Sequence, residues 1–391
     1  MFNLYMSDIP EPNSENGTGL VVYADDVTLT STHVVVKVAE HNAQEYLNRI
    51  IEWMDINKLL LADKTQASLF TPDPAEYNYR LNLQIKGQTI DTTKNPNILG
   101  LTYDPKLTFN EHIKSTEAKA KGTLKLVKAI SGTTWGQQAE TISATYKTFT
   151  RPVLEYACPA WAPVISATSA AKLQRVQNSA LRCATGHTSD TNTVHYHAET
   201  KVLPLHKHMR MISSQFRESA RDPEHPQHYA LAEPDPARQM KRTAFSPSYA
   251  TLVHGCDNDG EMEKQIRRNQ AVIHTNTVQE HMQSIPINPL IQQQPPEISA
   301  AEMQLPRVTR RTLAQLRAQK CPMLKMYLHH IGAADEPNCP LCRHPVHNTA
   351  HLFECPRVPT TLVPIDLWKK PVEVASLLDE WQVALALAEE V

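Results

Sequence analysis

The stretch Val21–Leu29, VVYADDVTL, sets two adjacent aspartates, Asp25 and Asp26, between two apolar, β-prone runs. Runs of this kind, broken by a short tip and resuming at once, read as a β-hairpin over residues 20–32. Two carboxylates side by side at the tip repel unless they share a cation. A divalent metal resolves that conflict. Mg2+ takes hard oxygen ligands and is commonly held by one or two carboxylates plus substrate phosphates. In pairs it steadies both the attacking and the leaving oxygen of an in-line displacement. The chemistry that needs this is phosphoryl or nucleotidyl transfer. Aspartate also favours turns by bonding its own backbone, so the tetrapeptide taken alone suits a plain structural turn as well.

Outward from the hairpin, Ala39, Ala43, Leu47, Ile50, Ile51 and Met54 recur at steps of three and four, one apolar stripe on a polar helix. Short strands are expected at KLLLA (58–62) and QASLF (66–70), a second hairpin around Lys86-Gly87, and a further β segment at NILGLTY (97–103). The first 105 residues thus read as α+β. Beyond them the pattern turns helical, in HIKSTEAKAKGTLKLVKAI (112–130) and SAAKLQRVQNSALRCATG (169–186), with Gly186 as a C-terminal stop. Between these helices, Pro159 and Pro163 preclude a long helix. Residues 221–302, polar and rich in Pro and Gln, read as a linker or partly disordered arm, leaving a helical region at 106–220 and a C-terminal region at 303–391. The last stretch, VEVASLLDEWQVALALAEEV, reads as an amphipathic terminal helix.

Cys339, Cys342, His351 and Cys355 are spaced C-x2-C-x8-H-x3-C. Two thiolates three residues apart grip one ion from a turn. A His and a Cys four apart lie on one face of a helical turn, so the set closes a tetrahedral N/S site suited to Zn2+. With four protein ligands and no open position, such a site folds its domain rather than catalysing. His344 and His347 are alternatives to His351. Cys158, Cys183, Cys256 and Cys321 lack such partners and read as plain thiols.

The net charge is only −2, so basic surface must be local. Residues 106–151 hold eight cations, among them Lys114, Lys119, Lys121, Lys125 and Lys128, against three acids, an excess of five. Helical surface of that kind attracts phosphate backbones without reading sequence. Arg307, Arg310, Arg311, Arg317, Lys320 and Lys325 form a second cluster, and arginine suits bidentate phosphate contact. No stretch approaches the roughly 20 apolar residues of a membrane span, and the N-terminus lacks the pattern of a signal peptide, so a cytosolic or nuclear protein with reduced thiols is expected.

The set FNLYMSDIP (2–10), YADD (23–26), DKTQASLF (63–70), NILGLTYDPKLTFNEHI (97–113) and YKTFTRPVLEYACPAWAP (146–163) resembles, in order and spacing, the reverse transcriptases of non-long-terminal-repeat retrotransposons, the jockey-like and related LINE-type elements. LPRVTRRTLAQLRAQKCPMLKMYLHHIG (305–332), with the Cys-His set after it, resembles the region that follows the thumb in the same polymerases. The resemblance implies a partial polymerase palm with a YADD hairpin over 1–105, a helical thumb over 106–220, and a small C-terminal zinc-binding helical module. Asp25 would be the principal Mg2+ ligand and Asp26 its second carboxylate, with Lys64 approaching the triphosphate. The partners would be an RNA template, a DNA primer and a dNTP, contacted by Lys114, Lys119, Lys121, Lys125, Lys128, Arg307, Arg310 and Arg311. In that family a further palm aspartate and a Gln-Gly-bearing segment precede FNLYMSDIP, so this sequence is expected to be a C-terminal portion of an RNA-directed DNA polymerase that does not polymerise in isolation. Two other readings compete: a non-catalytic, zinc-containing nucleic-acid-binding remnant, and a zinc-stabilised interaction module.

Overall fold

A computed structural model of the chain describes residues 6–62, 64–132, 135–228 and 259–389. It divides into two compact units, residues 1–112 and 113–391.

The first unit is the mixed α+β part. Strands β1 (Thr18–Tyr23) and β2 (Asp26–Ser31) pair antiparallel from Thr18↔Ser31 to Tyr23↔Asp26, with Ala24 and Asp25 as the connecting turn. Among the described residues no other strand joins this sheet. Helix α1 (Val36–Ile56) packs against both strands. Its buried residues are Ala43, Tyr46, Ile50 and Trp53, so the apolar stripe read from aliphatic residues is in fact centred on two aromatics. Each aromatic also anchors the N-terminal segment: the Tyr46 hydroxyl donates to Pro10 O at 2.7 Å, and Trp53 Nε1 to Asp8 Oδ1 at 3.3 Å. Gln44 holds the edge of β4 (Gln84–Ile85) as a strand would, donating to Gln84 O at 2.8 Å and accepting from Gln84 N at 2.7 Å.

The remaining strands are two-residue pieces. Strand β3 (Gln66–Ala67) pairs in parallel with β6 (Asp91–Thr92), β4 pairs antiparallel with β5 (Gln88–Thr89) across Lys86-Gly87, and β7 (Asn97–Ile98) pairs antiparallel with β8 (Leu101–Thr102). The hairpin expected at Lys86-Gly87 is present. The strand expected at 58–62 is not, since that segment pairs with no described strand.

The second unit is helical. Helix α2 (Asn110–Ala129), whose first turn contains the boundary between the units, buries Ile113, Thr116, Ala120, Leu124 and Val127 at helical spacing. Helix α3 (Ala139–Thr145) runs into a π turn at Tyr146–Thr150 and then α4 (Arg151–Glu155), where Pro152 removes an N–H from the ladder. The chain breaks before α5 (Cys158–Trp161) and again at Pro163, as the prolines predict. Helix α6 (Ala167–Thr185) starts on the Ser166 side chain and stops at Gly186, which takes the left-handed conformation with φ 75°. A Cβ there would also collide with the Arg311 side chain, so glycine is required twice over. Helices α7 (Thr193–Thr200) and α8 (Leu205–Ser219) follow, locked to α6 by the buried Gln177, which accepts from the Tyr146 hydroxyl at 2.7 Å and donates to Leu203 O at 2.8 Å.

Part of the stretch read as a linker is ordered helix. Helix α9 (Asp259–Gln283) lies along α8 and buries Ile266, Asn269, Ile273, Thr277 and His281. Residues 229–258, including Cys256, lie outside the described residues. The C-terminal region comprises α10 (Ala300–Met303), α11 (Arg307–Arg317), α12 (Lys325–His330), α13 (Asp366–Lys369) and α14 (Pro371–Glu389). Its core joins Leu313 and Leu316 to Leu352, Phe353, Val374, Leu377 and Trp381.

Candidate functional site

The paired aspartates stand at the tip of the hairpin. Ala24, with φ 53°, turns the chain through the left-handed region, a conformation that costs an alanine about 1–2 kcal/mol. Asp25 and Asp26 are exposed, and so are their apolar neighbours Val22, Val27 and Tyr23, the last at 66%. The carboxylates therefore sit on open surface rather than in a closed pocket. In that setting two hard oxygen ligands alone hold a divalent cation weakly. Among the described residues, no third carboxylate or imidazole joins the pair in a metal-binding cluster. Lys64 is exposed in the turn before β3, and no hydrogen bond or ion pair among the described residues links it to either aspartate. Asp63 beside it lies outside those residues.

Along α2, Lys114, Lys119, Lys121, Lys125 and Lys128 are all exposed, while the row from Ile113 to Val127 is buried. Lys114, Lys121, Lys125 and Lys128 follow one another at steps of seven, four and three and make one stripe. Glu117 partly offsets it, pairing with Lys121 at 2.7 Å.

The second basic cluster corrects its sequence reading. Arg307 and Arg310 are buried, with their guanidinium groups turned inward. Arg307 donates to the carbonyls of Gly132 at 2.9 Å, Ala184 at 3.1 Å and Cys183 at 2.8 Å. Arg310 grips both Glu140 oxygens at 2.7 and 2.6 Å, which holds that carboxyl below its ordinary pKa. Arg311, half-buried, donates through Nε to Gly186 O at 3.2 Å. Arg317, 2% exposed, forks onto Glu302 at 3.0 and 2.5 Å, bonds Leu367 O and approaches Glu199 at 3.5 Å. These arginines join α11 to segments between 131 and 200 and to α10 and α13, so Arg307 and Arg310 are not a phosphate-binding surface. The signal was in the spacing. Positions 307, 310, 314 and 317 fall on one helical stripe beside Leu313, the buried face, as buried charges require close partners.

The Cys-His set converges. The ligand atoms of Cys339, Cys342, His351 and Cys355 lie within 4.8 Å of one another. The backbone builds the knuckle: Cys339 N donates to His344 O at 2.8 Å and Arg343 N to Cys339 O at 3.0 Å, with Arg343 at φ 64°. His351 starts a 3-10 turn, its N–H held by Asn348 Oδ1 at 2.9 Å, and presents Nε2 at 3.3 Å from Cys342 Sγ. Burial pushes the Cys339 thiol up, to about 11. His347 is fully buried, stacks on Trp381 at 5.3 Å and accepts from Lys325 N through Nδ1, while His344 stacks on His351 at 4.4 Å. Neither belongs to the four. Three thiols and one imidazole in this arrangement fit Zn2+. Cys158 and Cys321 are buried thiols, raised by burial to about 12 and about 11.

Two curated proteins are similar to this chain over more than half of its length. The chain is 21% identical over 256 residues to the probable RNA-directed DNA polymerase from transposon BS of Drosophila melanogaster, covering 63% of this chain and 28% of that protein. It is 22% identical over 228 residues to the RNA-directed DNA polymerase from mobile element jockey of Drosophila funebris, covering 56% of this chain and 24% of that protein. The chain is a relative of the RNA-directed DNA polymerases of non-long-terminal-repeat retrotransposons. It spans about a quarter of the length of these polymerases. No family model matches the chain, and no solved structure does. No described helix is long and apolar enough to cross a membrane.

Proposed function

We propose that the chain supplies the metal-binding hairpin, thumb and zinc module of a retrotransposon RNA-directed DNA polymerase, in which nucleotidyl transfer uses two Mg2+ ions. The observation that supports this reading best is the pair of exposed, adjacent carboxylates at the hairpin tip, in a chain related to such polymerases. Asp25 and Asp26 would hold Mg2+ against the phosphates of a dNTP, and Lys64 would meet the triphosphate. When bound there, Mg2+ would supply positive charge against that developing on the phosphoryl oxygens. Template and primer would lie along the lysine stripe of α2. Cys339, Cys342, His351 and Cys355 would hold a structural Zn2+. Two carboxylates without a third among the described residues are half of a two-metal site, so the 391-residue chain alone should bind template–primer without extending it.

A labelled RNA–DNA template–primer, titrated with the purified chain at several salt concentrations, tests the reading. Binding that weakens with salt, Mg2+-dependent retention of dNTP on the complex that fails in the Asp25→Asn/Asp26→Asn variant, and primer extension near background are expected. Retention of dNTP that is indifferent to the double substitution would favour the second reading, a non-catalytic zinc-containing nucleic-acid-binding protein. That reading is supported by the Cys3His set being the one such cluster among the described residues. Robust extension by the chain would refute the half-site.

A further inference from the structure

Between α12 and α13, residues 331–365 contain a single three-residue 3-10 turn and no other helix or strand. Yet this irregular stretch supplies Leu352, Phe353, Val358 and Leu362 to the core that backs Leu313 and Leu316 of α11, and two of its ligand cysteines, Cys339 and Cys355, are in that same core. Two further bonds tie it inward: Thr349 Oγ1 donates to Leu316 O at 3.0 Å, and Leu352 O accepts from Trp381 Nε1 at 3.1 Å. A stretch with so little regular secondary structure of its own depends on a cross-link to stay ordered.

The opposite face of α11 is the one whose side chains hold the thumb helices. Arg307 takes the carbonyls at 132, 183 and 184, Arg310 takes Glu140, and Arg311 and Gln315 share Gly186 O. Just beyond α11, Lys320 and Tyr327 both reach Asp190, at 3.2 and 3.0 Å. One short helix is therefore held from behind by the Cys-His stretch and holds the ends of α6 and α3 in front.

We propose that the metal centre controls the order of the thumb: ion binding at Cys339, Cys342, His351 and Cys355 fixes α11, and α11 in turn fixes residues 131–132, 135–140 and 183–190. This rests on the reading of the four ligands as a zinc site. When the ion leaves, Leu352 and Phe353 lose their anchored backbone, α11 loses its backing, and the carbonyls at 131–132 and 183–186 lose their arginine donors.

Hydrogen exchange of the full chain, first with one equivalent of Zn2+ and then with EDTA, tests the proposal, with metal content read in parallel by atomic absorption. Chelation should speed exchange at the amides of Gln137, Gly186 and Thr191 at least tenfold, well beyond any change along 209–219 on α8, and restored Zn2+ should reverse it. Stoichiometric metal loss that leaves 183–190 unchanged, or changes it no more than 209–219, would overturn the proposal. A chain that binds no zinc in the first place would overturn the zinc reading itself.

Discussion

Replacing Arg317 with Met would leave the Glu302 carboxylate, 3% exposed at its side chain, and Glu199 without their counter-charge inside the protein. Breaking one side of a buried pair in this way costs about 3–5 kcal/mol. Thermal unfolding of Arg317→Met should therefore fall well below that of the parent, and adding Glu302→Gln should recover part of the loss. Equal melting of parent and Arg317→Met would show that the fork onto Glu302 contributes nothing. At this scale the sequence was legible where geometry is local. The C-x2-C knuckle, the aspartate pair and Gly186 each follow from a few neighbouring residues. It was misleading for Arg307 and Arg310, because composition shows a charge without showing which side of the helix carries it.

Helix α2 divides cleanly into a buried row and a lysine stripe, and the stripe is a property of the element rather than of one residue. Reversing Lys121, Lys125 and Lys128 to Glu should weaken template–primer binding. It should also flatten the dependence of log K on log salt, by about 0.7–0.9 for each phosphate that the lysines no longer neutralise. An unchanged slope in the triple variant would place the duplex elsewhere. Helix α9 shows why an element was missed. Its buried positions 266, 269, 273, 277 and 281 keep helical spacing, yet three of the five are Asn, Thr and His, so the row has no apolar signature. Asn269 is satisfied across the pair, its Nδ2 donating to Glu218 Oε1 at 2.8 Å, and Thr277 Oγ1 donates to Ile273 O of its own helix at 2.7 Å. His281 is the exception, 5% exposed with neither ring nitrogen bonded among the described residues. Burial, then repulsion between its charged form and Lys207, His197, Lys201 and His206, lowers its pKa to about 4. The unfolded chain, with an ordinary histidine near 6.5, takes the proton first. Stability present above pH 6.5 should therefore erode as pH falls toward 4, by up to about 1.4 kcal/mol per pH unit. Melting measured from pH 7 to 5 should show the decline, and His281→Leu should make it shallower. A steeper decline in that variant would contradict the assignment.

Across the whole chain, the first unit carries the aspartates, while the second carries the lysine stripe and the Cys-His centre. The resemblance read from short motifs anticipated the relatives, and the α+β and helical halves followed from periodicity. The tie between the Cys-His region and the helices before residue 200 did not. It runs through α11 over more than 100 residues of sequence, and long-range pairing of that kind leaves no local pattern. The polymerase reading stands or falls with Asp25 and Asp26 gripping a divalent ion against a nucleotide. Substituting Fe2+ for Mg2+ in the chain bound to an RNA–DNA template–primer and dNTP, then generating hydroxyl radicals with peroxide and ascorbate, reads the ion's position directly. Backbone cleavage is expected at residues 23–27, suppressed by excess Mg2+ and absent from Asp25→Asn/Asp26→Asn. Cleavage that is absent there in the parent, or that persists in the double variant, would show that the aspartates hold no such ion.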